Sequence, residues 1–121
     1  MTTELTTLWE LPGKSQEFMD APVLTYKWGG VSLTYDYETD EGYKEGELHF
    51  ENVDGIRFTS YETCTPEQVE AYDKLVEVVG SPWLIEIARN DPEPAQRLKH
   101  FQIFFDDVGC FEFLATSFRT D

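Results

Sequence analysis

The chain has 121 residues, and its 24 acidic against 9 basic side chains give a formal net charge of -15. That balance repels phosphate backbones and anionic lipid, which argues against direct binding to nucleic acid or to a membrane surface. The length suits one domain, and a 40% hydrophobic, 15% aromatic composition supports a packed core rather than disorder.

Residues 1–20 are weakly patterned. Leu5, Leu8, Trp9 and Leu11 suit either a short helix or an extended arm, stopped by Pro12-Gly13, with a further helical turn at Gln16–Met19. Met1–Glu10 lacks the basic start and apolar run of a signal peptide. No stretch approaches the roughly 20 apolar residues that span a bilayer, so the expected location is the cytoplasm. The two cysteines, Cys64 and Cys110, make no disulfide framework and read as buried thiols.

Pro22–Trp28 reads as a strand, and Gly29-Gly30 as a hairpin turn. Val31, Leu33, Tyr35 and Tyr37 alternate with Ser32, Thr34, Asp36 and Glu38, the mark of a half-buried strand. Thr39–Gly46 reads as an acidic loop, Glu47–Glu51 as a strand, Asn52–Gly55 as a turn and Ile56–Glu62 as a strand. Four strands with short connections predict an antiparallel meander.

The period then changes. Thr65 is an N-cap, Pro66 sits at the first helical position and Gln68 closes a capping box. Val69, Tyr72, Val76 and Val79 recur at helical spacing up to Gly80. Ser81 and Pro82 start a second helix carrying Trp83, Leu84, Ile87 and Ala88, which Asn90–Pro94 ends. The most aromatic stretch follows: strands Leu98–Phe105 and Cys110–Phe118 about the turn Asp106–Gly109. Phe104 shares a face with His100 and Gln102, which suggests that a helix covers that face.

The expected fold is α+β: one antiparallel, curled or barrel-like sheet of about six strands, with a short helical pair inserted before the last hairpin. A single domain, 1–121, divides into an arm (1–20), a four-strand meander (22–62), a helical pair (65–90) and a C-terminal hairpin (98–118).

Three groups of residues bear chemistry. Asp36, Glu38, Asp40, Gly42 and Glu47 follow EF-hand spacing, but Glu41 stands where glycine is required and the flanks are strands, so no metal is assigned. Asp106, Asp107 and Glu112 suit acid–base work, although a hairpin tip explains the paired aspartates more simply. His49 and His100 fall on the polar phase of their strands; a zinc site or a Cys/His pair with Cys64 or Cys110 lacks any supporting spacing. No phosphate loop, HExxH or GxSxG is present, and no catalytic residue or cofactor is assigned.

The segments Cys64–Gln68, Ala71–Val78, Ser81–Leu84, Leu98–Phe101 and Phe105–Ala115 resemble a group of small uncharacterised bacterial proteins, with an SxWL helix and an FDDxGCxE hairpin. The resemblance covers roughly residues 50–118 and implies a bacterial cytoplasmic protein. Small acidic proteins of this kind are candidates for immunity proteins of toxin systems; the resemblance carries no catalytic residues.

The preferred reading is therefore a non-enzymatic, acidic protein-binding domain, with a toxin-neutralising role as its concrete form. Its partner would be a basic protein. The binding residues would be Asp36, Glu38, Asp40, Glu41 and Tyr43 in the acidic hairpin, with Glu67, Glu70, Asp73 and Glu77 from the helix. Of Trp28, Tyr35, Tyr37, Tyr43 and Tyr61, most suit the core or sheet packing, and the subset left on the surface among the acids would add aromatic anchors. One alternative is a small-ligand binder or enzyme with a cavity in the curled sheet, using His100, Cys110 and Glu112; another is that the charge serves only solubility.

Overall fold

The computed structural model describes residues 3–120, and among these nine strands form two antiparallel sheets. The strands are β1 (Glu4–Glu10), β2 (Val23–Lys27), β3 (Gly30–Thr39), β4 (Gly42–Glu51), β5 (Gly55–Ser60), β6 (Lys74–Val79), β7 (Lys99–Phe105), β8 (Gly109–Ala115) and β9 (Ser117–Thr120). One sheet has the order β1-β6-β7-β8-β5 and the other β2-β3-β4-β9. Helices are short: α1 (Pro66–Val69), α2 (Pro82–Asn90) and α3 (Pro92–Arg97), with a 3-10 turn at Ser15–Glu17 and another at Tyr61–Thr63. No helix among the described residues is long and apolar enough to cross a membrane.

The α+β character and the antiparallel pairing match the sequence. The single barrel-like sheet does not: there are two sheets and neither closes. Their inner faces meet in one core. Leu33, Leu48 and Phe50 come from the four-stranded sheet; Leu75, Phe101, Ile103, Phe105 and Phe113 come from the five-stranded one. Phe50 stacks on Phe113 across the layers, with ring centroids 4.0 Å apart.

The largest departure lies at residues 69–79. The predicted long helix stops at Val69, and Lys74–Val79 is a strand between β1 and β7. The valines at 76, 78 and 79 favour a strand, and a central strand buried on both faces lacks the clean alternation that would reveal it. Leu75 faces the core between the sheets, while Val76 packs with Ala71, Phe104 and Cys110 beyond the other face. The chain turns into β6 through Asp73, whose positive φ of 55° is left-handed and closed to a continuing helix.

Other boundaries also differ. The arm is extended along Glu4–Glu10 because it pairs with β6. The acidic loop 39–46 reduces to the tight turn Asp40-Glu41, since β3 and β4 stay paired out to Thr39 and Gly42. The meander holds three strands, not four: β5 pairs with β8 in the other sheet. Pro92 and Pro94 end α2 but also open α3, whose first turn needs no amide from them. The final strand breaks at Thr116, and β9 crosses over to pair with β4.

Candidate functional site

The two outer faces of the sandwich differ. In the five-stranded sheet, β7 sends His100, Gln102 and Phe104 outward, and β8 sends Cys110, Glu112 and Leu114. Helices α1 and α2 pack over β7 on this side, as Phe104 suggested. His100, Gln102 and Glu112 are 3%, 4% and 3% exposed, so the polar phase of these two strands is buried beneath the helices.

Glu112 is the hub of this layer. His100 Nε2 lies 2.8 Å from its Oε1, and Arg57 Nη2 donates to the same oxygen at 3.1 Å. Gln68 Nε2 donates to Oε2 at 3.0 Å and lies 3.2 Å from Thr59 Oγ1. Gln68 is also the third helical residue of the capping box with Thr65, so the start of α1 and the carboxylate are tied by one side chain. His100 Nδ1 meets Ser81 Oγ at 2.6 Å, and that oxygen caps α2 by accepting the Leu84 amide at 3.2 Å. Arg57 lies over the Trp83 ring at 3.9 Å from its centroid.

Burial pushes the Glu112 carboxyl up, but the His100 bond, the Arg57 charge and the Gln68 bond outweigh it, leaving the pKa below its ordinary value. No buried side-chain nitrogen or oxygen among the described residues lacks a partner. A cleft of about 330 Å³ opens above this floor, between α1 and α2.

Ser81, His100 and Glu112 are in a row, yet they do not make a serine nucleophile. Ser81 is 2% exposed and its oxygen holds the α2 amide, so no substrate carbonyl can reach it. Cys110 does not complete a site with His100 and Glu112: it packs in an apolar cluster with Ala71, Val76 and Phe104. Burial, then the Glu112 charge, pushes its thiol far up. Sequence reasoning found His100 and Glu112 but missed Arg57, Ser81 and Trp83. The signal for Arg57 is its place opposite Glu112, visible only once β5 and β8 are paired.

The outer face of the four-stranded sheet carries Thr25 and Lys27 from β2, Ser32, Thr34, Asp36 and Glu38 from β3, and Tyr43, Glu45, Glu47, His49 and Glu51 from β4. Lys27 pairs with Glu47 at 3.0 Å and Arg119 with Glu51 at 3.5 Å. Asp36 accepts the Met19 and Asp20 amides at 3.0 Å each, which holds the entry into β2. Glu38 and Glu45 have no hydrogen-bond or ion-pair partner among the described residues. Asp40 and Glu41 form the hairpin tip. Tyr43 is exposed and donates to the Glu17 carbonyl at 3.2 Å; desolvation, then the charges of Glu38, Asp36 and Glu17, push its phenol up.

The predicted helical acids do not join this face. Glu67 and Glu70 lie at α1 and Glu77 on β6, in the opposite layer. Asp73 is structural: it accepts from the Ser15 amide at 3.1 Å and from the Ser15 hydroxyl. Tyr35 is 4% exposed and belongs to the core, whereas Trp28 is fully exposed. No group of three or more His, Cys, Asp or Glu side chains among the described residues is placed to hold a metal ion.

No protein-family model, curated protein or solved structure matches the chain.

Proposed function

We propose that this chain is a protein-binding domain without catalytic activity, and that it docks a basic protein on the outer face of its four-stranded sheet. One observation carries the reading. Among the described residues no α-helix packs on that face, which the segment after the 3-10 turn meets only at its Asp36–Tyr43 end; it holds Asp36, Glu38, Glu45, Glu47 and Glu51 against Lys27 and Arg119, in a chain of net charge -15. A field of one sign steers a cationic partner and weakens with salt. Neutralising a toxin whose active site is cationic is the concrete form of such a role.

A second reading rests on the cleft above Glu112, whose polar floor and volume of about 330 Å³ suit a small ligand. It is the weaker one, because the floor groups already satisfy one another. The test uses the immobilised chain beside a Glu38→Gln, Asp40→Asn, Glu45→Gln variant, each exposed to lysate of the source organism. A basic protein held at low salt by the natural chain and lost from the variant supports the reading. No such capture, or equal capture by both, contradicts it.

A further inference from the structure

Strand β2 is a five-residue edge of the four-stranded sheet, guarded at its ends by Pro22 and Lys27 but with no charge or proline between them. Its pairing with β3 runs from Val23↔Thr34 to Lys27↔Gly30 without a bulge. The closing pair of this tight hairpin is the hydrogen-bonded one, so alternation turns the amides and carbonyls of Leu24 and Tyr26 away from β3. Those four backbone groups form a template for another strand.

The side chains beside them are apolar. Val23 is 57% exposed, Tyr26 75%, and Trp28 stands clear of the fold. An open cleft of about 630 Å³ lies beside Tyr26, floored by Val31, Val53 and Ile56 and flanked by Asp54. Leu24 is half-buried and packs against the core, so the row Leu24–Tyr26 runs from the core's edge to this cleft, and Trp28 stands in the turn just beyond it. A strand added at β2 would continue that row and seat alternate apolar side chains against Tyr26 and Trp28.

The occupant follows from charge. A second copy would bring its own net charge of -15 against the first, which opposes self-pairing. The other edges suit a cationic strand less: β1 has a register shift at Thr7/Trp9, β9 has four residues, and β5 carries Arg57 near its centre, whereas the one base of β2, Lys27, lies at its end and is paired with Glu47.

We infer that β2 receives an extended basic segment of the partner by strand addition, with Trp28 and Tyr26 as its aromatic anchors. This inference rests on the proposed binding of a basic protein and specifies how part of that partner is held.

The test uses a capped heptapeptide of alternating Lys and Val and the same peptide N-methylated throughout, which keeps the charge and removes the amide donors. At low salt the first peptide should slow amide exchange at Leu24 and Tyr26 about tenfold and shift the amides of residues 23–29. The N-methylated peptide should bind at least about tenfold more weakly, and Trp28→Ala should weaken the first peptide by about as much. Trp28 touches little of the fold, so that variant keeps its structure. Equal binding of both peptides, with shifts centred on Glu38 and Glu45, would overturn strand addition and leave the acidic-face reading standing. No binding of either at low salt would contradict both. A concentration-dependent dimer abolished by Trp28→Ala would overturn the inference in favour of a second copy.

Discussion

His100 Nε2 and Glu112 Oε1 lie 2.8 Å apart across the β7–β8 pair, and both side chains are only 4% exposed. The ionised carboxylate can only accept, so Nε2 carries the proton and donates to it, and the Ser81 hydroxyl meets the other ring nitrogen. The pair joins the caps of α1 and α2 to the five-stranded sheet. Its role is to fix helices that no large apolar face holds.

Replacing Glu112 with Gln keeps the shape and removes the charge that Arg57 and His100 share. The expected loss is about 2–4 kcal/mol in denaturant unfolding, because Gln keeps one acceptor oxygen and turns an NH2 donor towards a donor on the other side. The loss depends on pH. The folded pKa lies below the ordinary value of 4.5, so between the two the unfolded chain binds more protons. The natural chain should hold its full advantage over the variant above pH 4.5 and lose it as pH falls through the folded pKa. An advantage that persists unchanged in acid would refute the ion pair.

Arg57 is half exposed, so its share is smaller. Arg57→Met should cost about 1 kcal/mol, from the lost bond to Glu112 and the lost contact over Trp83. Combined with Glu112→Gln, the loss should fall short of the sum by at least about 0.5 kcal/mol. Strict additivity in the double-mutant cycle would show that the two do not interact.

Phe50 and Phe113 stack at 4.0 Å and both are fully excluded from solvent. Phe50→Ala should cost about 3–5 kcal/mol, since it removes a large side chain from between the two sheets. Calorimetry should show a correspondingly lower Tm with one cooperative transition retained.

Cys64 and Cys110 should both resist a thiol reagent at neutral pH and react once the chain is unfolded. Burial pushes each thiol above its ordinary value of 9.0, and Cys64 donates to the Thr59 carbonyl at 3.4 Å. A raised thiol pKa favours the folded state below the unfolded value and penalises it as pH climbs beyond. Alkaline unfolding should therefore move to higher pH in Cys110→Ala if that variant retains its packing. Rapid native-state labelling of Cys110 would contradict its place in the core.

Much of the fold is legible in the residues themselves. The alternation of Val31, Leu33, Tyr35 and Tyr37, the capping signals at Thr65 and Ser81, and the phenylalanine-rich last hairpin all mark local structure that forms as read. Lys74–Val79 is not legible that way, because a strand covered on both faces loses its period of two and its valines also fit a helical stripe. The split into two sheets depends on Thr116, where one strand ends and the next joins β4; nothing in local propensity marks that crossing. At the site, His100 and Glu112 stand out as rare types in an apolar hairpin. Their partners Arg57, Gln68 and Ser81 come from three distant segments that only the folded topology brings together.

The central claim is that the uncovered acidic sheet face binds a basic protein. Isothermal titration of the captured partner into the natural chain, and into the Glu38→Gln, Asp40→Asn, Glu45→Gln variant, tests it most directly at low and at high salt. The account predicts at least about a tenfold weaker Kd for the variant at low salt, with the two chains converging as salt screens the face. Equal affinity of the two chains at low salt, or affinity indifferent to salt, would contradict it.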